Sequence, residues 1–186
     1  MGPFRTAVAA MFSLCIVSNG WAADPPPATP TAGQEAQRLA KLPPIVPHGA
    51  RIDHSGRKEK GRVSYYSRYF NNRTMANGKR FNPNSHVAAS KTLPLGTTAT
   101  VTNLRNGKSA TVQVEDRGPF IDGRVVDVTP KVANELDIRK QGVAPVMVAP
   151  IAVPQPNGEV KLGAGAAEAS PHEVATAIQQ TIAAAH

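Results

Sequence analysis

Thr111-Val112-Gln113-Val114-Glu115-Asp116-Arg117-Gly118-Pro119-Phe120-Ile121-Asp122-Gly123-Arg124-Val125-Val126-Asp127-Val128 is a pair of β-branched runs around a tight, charged corner. Val112 and Val114 alternate with polar neighbours, as in a strand with one face buried. Gly118-Pro119 breaks that strand, and Val125, Val126 and Val128 begin another. Asp116 therefore falls at a strand end beside Arg117, where the backbone turns away. A carboxylate placed there is held by rigid scaffold yet can face a groove, which suits a catalytic acid. The same spacing allows a plainer arrangement, in which Asp116 and Asp127 only pair with Arg117 and Arg124 and cap turns. The pattern alone leaves both open.

The flanks set the class of molecule. The 186 residues suit one domain with tails, and the formal charge of +8 suits a polyanionic partner. Residues 1–22 read as a signal peptide for Sec export to the periplasm. Arg5 is the only charge before Asp24, and Ala7 to Val17 form an apolar run too short to span a bilayer. Gly20-Trp21-Ala22 offers small residues at the two positions that signal peptidase reads. An exported protein rarely meets nucleic acid, so that partner drops out. Cys15, the single cysteine, follows Leu14, where a lipoprotein signal needs a small residue; no lipid anchor is expected. The mature chain then holds no thiol, which excludes disulfides, cysteine metal sites and a cysteine nucleophile. The histidines at 48, 54, 86, 172 and 186 show no ligand spacing, so neither metal nor cofactor is expected.

Residues 23–59 are Pro-rich and then basic, and read as a flexible linker. The folded domain is placed at 60–153. Its strands are expected at Val63-Ser64-Tyr65-Tyr66, Val87-Ala88-Ala89, Thr98 to Thr102, Ser109 to Val114, Val125 to Val128 and Val146-Met147-Val148. Asn106-Gly107 signals a two-residue hairpin between the third and fourth. Thr129-Pro130 opens a short helix with Val132, Ala133 and Leu136 on its apolar face. Six short strands with one small helix in under 100 residues predict an all-β, closed barrel. Residues 154–186 read as a flexible tail with a helix at about 171–184, where Ser170-Pro171-His172-Glu173 is a capping box. Val174, Ile178 and Ile182 would give that helix one apolar face, packed on the barrel or left for a division or envelope protein.

These tracts resemble the RlpA family of septal lytic transglycosylases, built on the double-psi β-barrel shared with expansins and barwin. Those that carry the resemblance include Ala76-Asn77-Gly78, Phe81, Ala88-Ala89, Lys91-Thr92-Leu93-Pro94-Leu95-Gly96, Val101-Thr102-Asn103-Leu104, Asn106-Gly107-Lys108-Ser109, Asp116-Arg117-Gly118-Pro119-Phe120 and Gly123-Arg124-Val125-Val126-Asp127. The resemblance implies a six-stranded double-psi β-barrel with one or two short helices between flexible tails. It also implies peptidoglycan glycan strands as partner, a monomer, and a role in wall remodelling and septation.

The family's catalytic set implied by the resemblance is a Glu after Ala-Asn-Gly, a His after the paired Ala, and the Asp before Arg-Gly-Pro. Here Lys79 and Ser90 hold the first two places, and Asp116 alone is kept. Lys79, Ser90, Asn77, Arg117, Tyr66 and Asp127 are placed around it as substrate-binding residues. A hydrolytic glycosidase uses two carboxyl groups. A lytic transglycosylase uses no water, because the muramic C6 hydroxyl attacks and closes a 1,6-anhydro ring. One carboxyl group can then serve as both acid and base. Tyr65, Tyr66, Tyr69 and Phe70 are either core or a stacking platform for sugar rings. The reading is an endolytic transglycosylase with Asp116 catalytic, and the alternative is a non-catalytic, expansin-like wall-binding barrel.

Overall fold

Uninterrupted alternation along the fourth strand would point Val112, Val114 and Asp116 to one face, the barrel interior. The computed structural model, which describes residues 51–184, shows how the chain avoids burying that carboxylate. The expected signal peptide, Cys15 and the linker up to residue 50 lie outside the described residues.

Seven strands form one sheet: β1 (Glu59–Tyr65), β2 (Val87–Ser90), β3 (Thr98–Asn103), β4 (Ser109–Asp116), β5 (Arg124–Val128), β6 (Ala144–Pro154) and β7 (Val160–Leu162). Helix α1 (Pro130–Glu135) follows β5, and α2 (Pro171–Ala184) ends the described chain. The order is β1-β5-β2-β4-β3-β6-β7, and β1 also pairs with β6, which closes six strands into a barrel. β1 runs parallel to β5 and β2 parallel to β4, while the other neighbours are antiparallel. This is the double-psi barrel, with β7 as an added strand.

Small β-branched side chains fill the interior. Val63, Val101, Val112, Val114, Val126, Val128 and Val146 are all essentially inaccessible, and α1 closes one end with Val132 and Leu136. Thr129 caps α1 by accepting the Val132 N–H, and Pro130 occupies the first turn, as the sequence predicts. The hairpin between β3 and β4 also forms, but it is longer than a two-residue turn. Asn103 N–H donates to Lys108 O, Asn103 Oδ1 accepts from Arg105 N–H, and Asn103 Nδ2 reaches Leu136 O beneath. The buried Asn103 side chain thus sets the loop, and Gly107 (φ +73°) supplies its left-handed step.

β6 is an eleven-residue strand, far longer than Val146-Met147-Val148. Its first half pairs with β1, most of its length with β3 and its end with β7, and Pro150 falls where the β3 register slips. Proline concealed this strand in the sequence. The Gly/Ala-rich stretch after Pro154 carries more order than its composition suggests: β7, a 3-10 turn at Ala164–Ala167, then α2. Ser170 and Glu173 form the expected capping box. The buried face of α2 centres on Ala177 and Thr181 rather than on three branched residues, and Ile182 is exposed. Short side chains let the helix sit close to β3, where Thr181 and Thr98 hydroxyls meet at 3.2 Å. The basic stretch before β1 is also laid on the barrel, through Asp53 N–H to Thr92 O and Ala164 N–H to Gly56 O.

Gly61 sits where β1 and β5 approach too closely for a side chain. A Cβ at that position would lie 2.3 Å from Val125 Cγ1. Gly61→Ala is expected to destabilise the barrel by about 1–3 kcal/mol through overpacking. In denaturant unfolding, Gly61→Ala combined with Val125→Ala should cost less than the two single changes added together. Simple additivity would contradict the contact.

Candidate functional site

Two register slips build the site. Between β2 and β4, Ala88 pairs with Val114 but Ala89 pairs with Asp116, so Glu115 is passed over. Asp116 thereby joins the face of Ala89 instead of the core face of Ala88 and Val114. Between β1 and β5, Arg62 pairs with Arg124 and Val63 with Val126, which passes over Val125 and pairs Ser64 with Asp127. Since Ala89 also pairs with Asp127, one row crosses four neighbouring strands: Ser64, Asp127, Ala89, Asp116. All four line an open cleft of about 480 Å³. Ala89 has no side chain beyond Cβ, so the floor between the two carboxylates stays low. Two strand spacings separate their backbones, roughly 9–10 Å.

Asp116 is firmly held. Its Oδ1 accepts N–H bonds from Ala76 (2.9 Å) and Arg117 (2.9 Å), and its Oδ2 accepts the Tyr66 hydroxyl (2.8 Å). Both acceptor directions of Oδ1 are used, whereas Oδ2 keeps one free for a proton or a ligand. Burial, then the hydrogen bond to Asp116, then the charges of Asp116 and Asp127 raise the Tyr66 phenol far above its ordinary 10.0. It remains a donor throughout the working range of the site. The Arg117 guanidinium turns away from the cleft floor and donates to Ser90 O and Leu93 O. Burial lowers its pKa, and Asp116 works against that shift. Asp127 is occupied differently: its Oδ1 accepts from Ser64 Oγ (2.6 Å) and from Arg124.

Asp116, Tyr66, Arg117 and Asp127 are brought together at this one cleft, and Lys79, Asn77 and Ser90 are not among the residues lining it. Ser90 is buried within β2, and its Oγ accepts the N–H groups of Thr92 and Leu93, which caps the following turn. Asn77 Oδ1 accepts the Lys79 N–H, and Asn77 N–H donates to Glu115 O, so Asn77 fixes the turn at Met75–Gly78 against the end of β4. Lys79 Nζ bonds Glu115 Oε1 at 3.0 Å, not Asp116. That pair faces a second cavity of about 630 Å³, between the barrel and α2, whose lining includes Arg80, His86, Gln113 and His172. Glu115 was missed by sequence reasoning, although its adjacency to Asp116 at the strand end was a usable signal. Phe120 and Ile121, at the cleft mouth, were missed as well.

Among the described residues, no group of three or more His, Cys, Asp or Glu side chains could hold a metal ion. No described helix is long and apolar enough to cross a membrane.

Residues 58–148 match the model of a protein family described as lytic transglycolase, named for the double-psi barrel. The barrel is similar to this family over just under half of the chain. A protein of Synechocystis named "Probable endolytic peptidoglycan transglycosylase RlpA" is 49% identical over 86 residues, 46% of this chain and 27% of that one. The endolytic peptidoglycan transglycosylase RlpA of Pasteurella multocida is 43% identical over 94 residues, covering 50% and 32%. That of Vibrio cholerae is 40% identical over 101 residues, covering 54% and 38%. The matched part spans about a third of these curated relatives' length.

The Tyr66–Asp116 bond has a measurable signature. A raised phenol pKa means stability that is fully present below the ordinary tyrosine range and is lost progressively as pH climbs above it toward the raised folded value. In an alkaline titration followed by tyrosinate absorbance, one of the three tyrosines is expected to stay protonated until the barrel unfolds. Tyr66→Phe should remove that late step, and a late step surviving in Tyr66→Phe would contradict the assignment.

Proposed function

We propose that this chain is an exported, peptidoglycan-directed lytic transglycosylase whose acid–base group is Asp116. The carrying observation is the geometry of Asp116: a carboxyl group at a strand end, aimed into an open cleft, with one lone pair of Oδ2 unused. The family of the barrel and the names of its relatives support the reaction class.

The step follows from that free position. With its proton on Oδ2, Asp116 donates to the oxygen bridging muramic C1 to the next sugar, and the bond from C1 to that oxygen breaks. The muramic C6 hydroxyl bonds to C1 and closes the 1,6-anhydro ring, and its proton returns to Asp116. The carboxyl group ends as it began, and no water is consumed. Tyr66, Ala76 and Arg117 hold the carboxyl group in place, which supplies orientation at no entropic cost during reaction. Asp127, tied to Ser64 and Arg124, is suited to hold a sugar hydroxyl on the far side of the floor. Lys79 and Ser90 stand outside this cleft, so the family's second acid and imidazole have no substitute there. Loss of one positioned acid–base group lowers rate by roughly 10²–10⁴-fold, which makes slow turnover the expectation.

Digestion of purified, peptide-free glycan strands, with products read by mass spectrometry, decides the matter. Anhydro-muramic ends are expected from the parent protein and should be absent with Asp116→Asn. Equal product from both would remove Asp116 from the mechanism. No product from either, across several pH values, would leave a non-catalytic wall-binding barrel.

A further inference from the structure

Large apolar side chains are unevenly exposed on this molecule. Among the described residues seven stand out, and four of them, Tyr69, Phe70, Phe120 and Ile121, belong to the two segments that border the Asp116 cleft. Tyr69 and Phe120 are 85% and 83% exposed, so neither contributes to the core. The fold offers no reason for their placement. Tyr66, by contrast, is buried against Phe70 and Phe81 and serves the scaffold.

The two lips come from separate parts of the chain. One is the 3-10 turn Arg68–Phe70 after β1, with Phe70 on the cleft and the Arg73 guanidinium over its ring. The other is the loop after Asp116, where Phe120 and Ile121 line the mouth. Gly118 shapes that loop: its φ is +120°, and a Cβ there would stand 3.8 Å from Phe120 Cε2. The edge of the Phe120 ring therefore lies beside Gly118, which is two residues from Asp116 in the chain.

Resting on the reading of the cleft as a glycan site, we propose that Phe120 and Phe70 are sugar-stacking residues that grip pyranose rings on either side of the bond beside Asp116. The cleft is amphipathic in a particular sense. Its floor is polar, made of Ser64, Asp127, Asp116 and the Tyr66 hydroxyl, and its lips are apolar. A pyranose ring has the matching shape, with hydroxyl and amide groups around its edge and C–H bonds on its faces. An apolar helix, or a second copy of this chain docking through its own lips, would cover the remaining acceptor position of Asp116 Oδ2 without supplying it a donor, which is costly. Aromatic faces with a few placed polar groups are the usual composition of such sites.

The test measures binding apart from turnover. In an Asp116→Asn background, the parent and the Phe120→Ala, Phe120→Trp and Leu162→Ala variants are titrated by calorimetry with peptide-free glycan oligosaccharides. Phe120→Ala is expected to weaken binding about tenfold with an unchanged unfolding midpoint. Phe120→Trp should keep the affinity and change its emission on binding, and Leu162→Ala, exposed far from the cleft on β7, should bind like the parent. Phe120→Ala binding as tightly as its parent would overturn the proposal, whether or not anhydro products form. If glycan binds through Phe120 and no anhydro product ever forms, catalysis fails and the stacking role stands. Concentration-dependent dimerisation abolished by Phe120→Ala, without any glycan affinity, would assign the lips to a second copy instead and overturn it.

Discussion

The slip of register that passes over Glu115 is the constraint on which the site depends. A strand whose alternate residues fill a barrel cannot also present a carboxylate on that face without burying its charge, which costs several kcal/mol unless it is fully paired. The slip turns Asp116 away from Val114 and onto the face of Ala89. It also leaves Glu115 nearly buried on the outside of the strand, where Lys79 meets it. Consecutive carboxylates thus serve two surfaces. The second slip, between β1 and β5, sends Asp127 onto the same face as Asp116, and Ala89 between them keeps the floor open.

Rigid surroundings then make the carboxyl group of Asp116 usable. The turn at Met75–Gly78 is pinned to the end of β4 by Asn77 N–H on Glu115 O, and it delivers the Ala76 N–H to Asp116. Lys79 anchors the same turn from the other side through Glu115, so it supports the loop over the site without entering the cleft. Ser90 supports the other wall by capping the turn that Arg117 also binds through Ser90 O and Leu93 O. Both side chains serve the scaffold around the cleft.

Much of the barrel was legible in the chain. Alternating Val residues, the Thr129-Pro130 cap and the Ser170–Glu173 box each act through local chemistry and formed where that chemistry predicts, and the hairpin at Asn106-Gly107 formed with a longer loop than two residues. Long-range facts were not legible. Register slips leave no trace in a two-residue period, because Val114-Glu115-Asp116 reads the same with or without one. β6 was cut short because Pro150 and Pro154 look like breakers until a slipped neighbour and a strand end accommodate them. Motif position placed Lys79 and Ser90 in the site; only the folded contacts, Lys79 with Glu115 and Ser90 with the turn after β2, show that their side chains are engaged elsewhere. Phe120 was read as part of a tract and not as a surface, since exposure is decided by what the rest of the fold leaves uncovered.

The central claim is that glycan lies across the Ser64–Asp127–Ala89–Asp116 row with its scissile oxygen at residue 116. A crystal structure of the Asp116→Asn protein with a peptide-free glycan oligosaccharide tests it most directly. The account predicts the bridging oxygen at hydrogen-bond distance, about 3 Å, from the residue 116 side chain, with a sugar face against the Phe120 ring. Density for the glycan in the cavity beneath α2 beside Lys79 and Glu115, with the row empty, would contradict it.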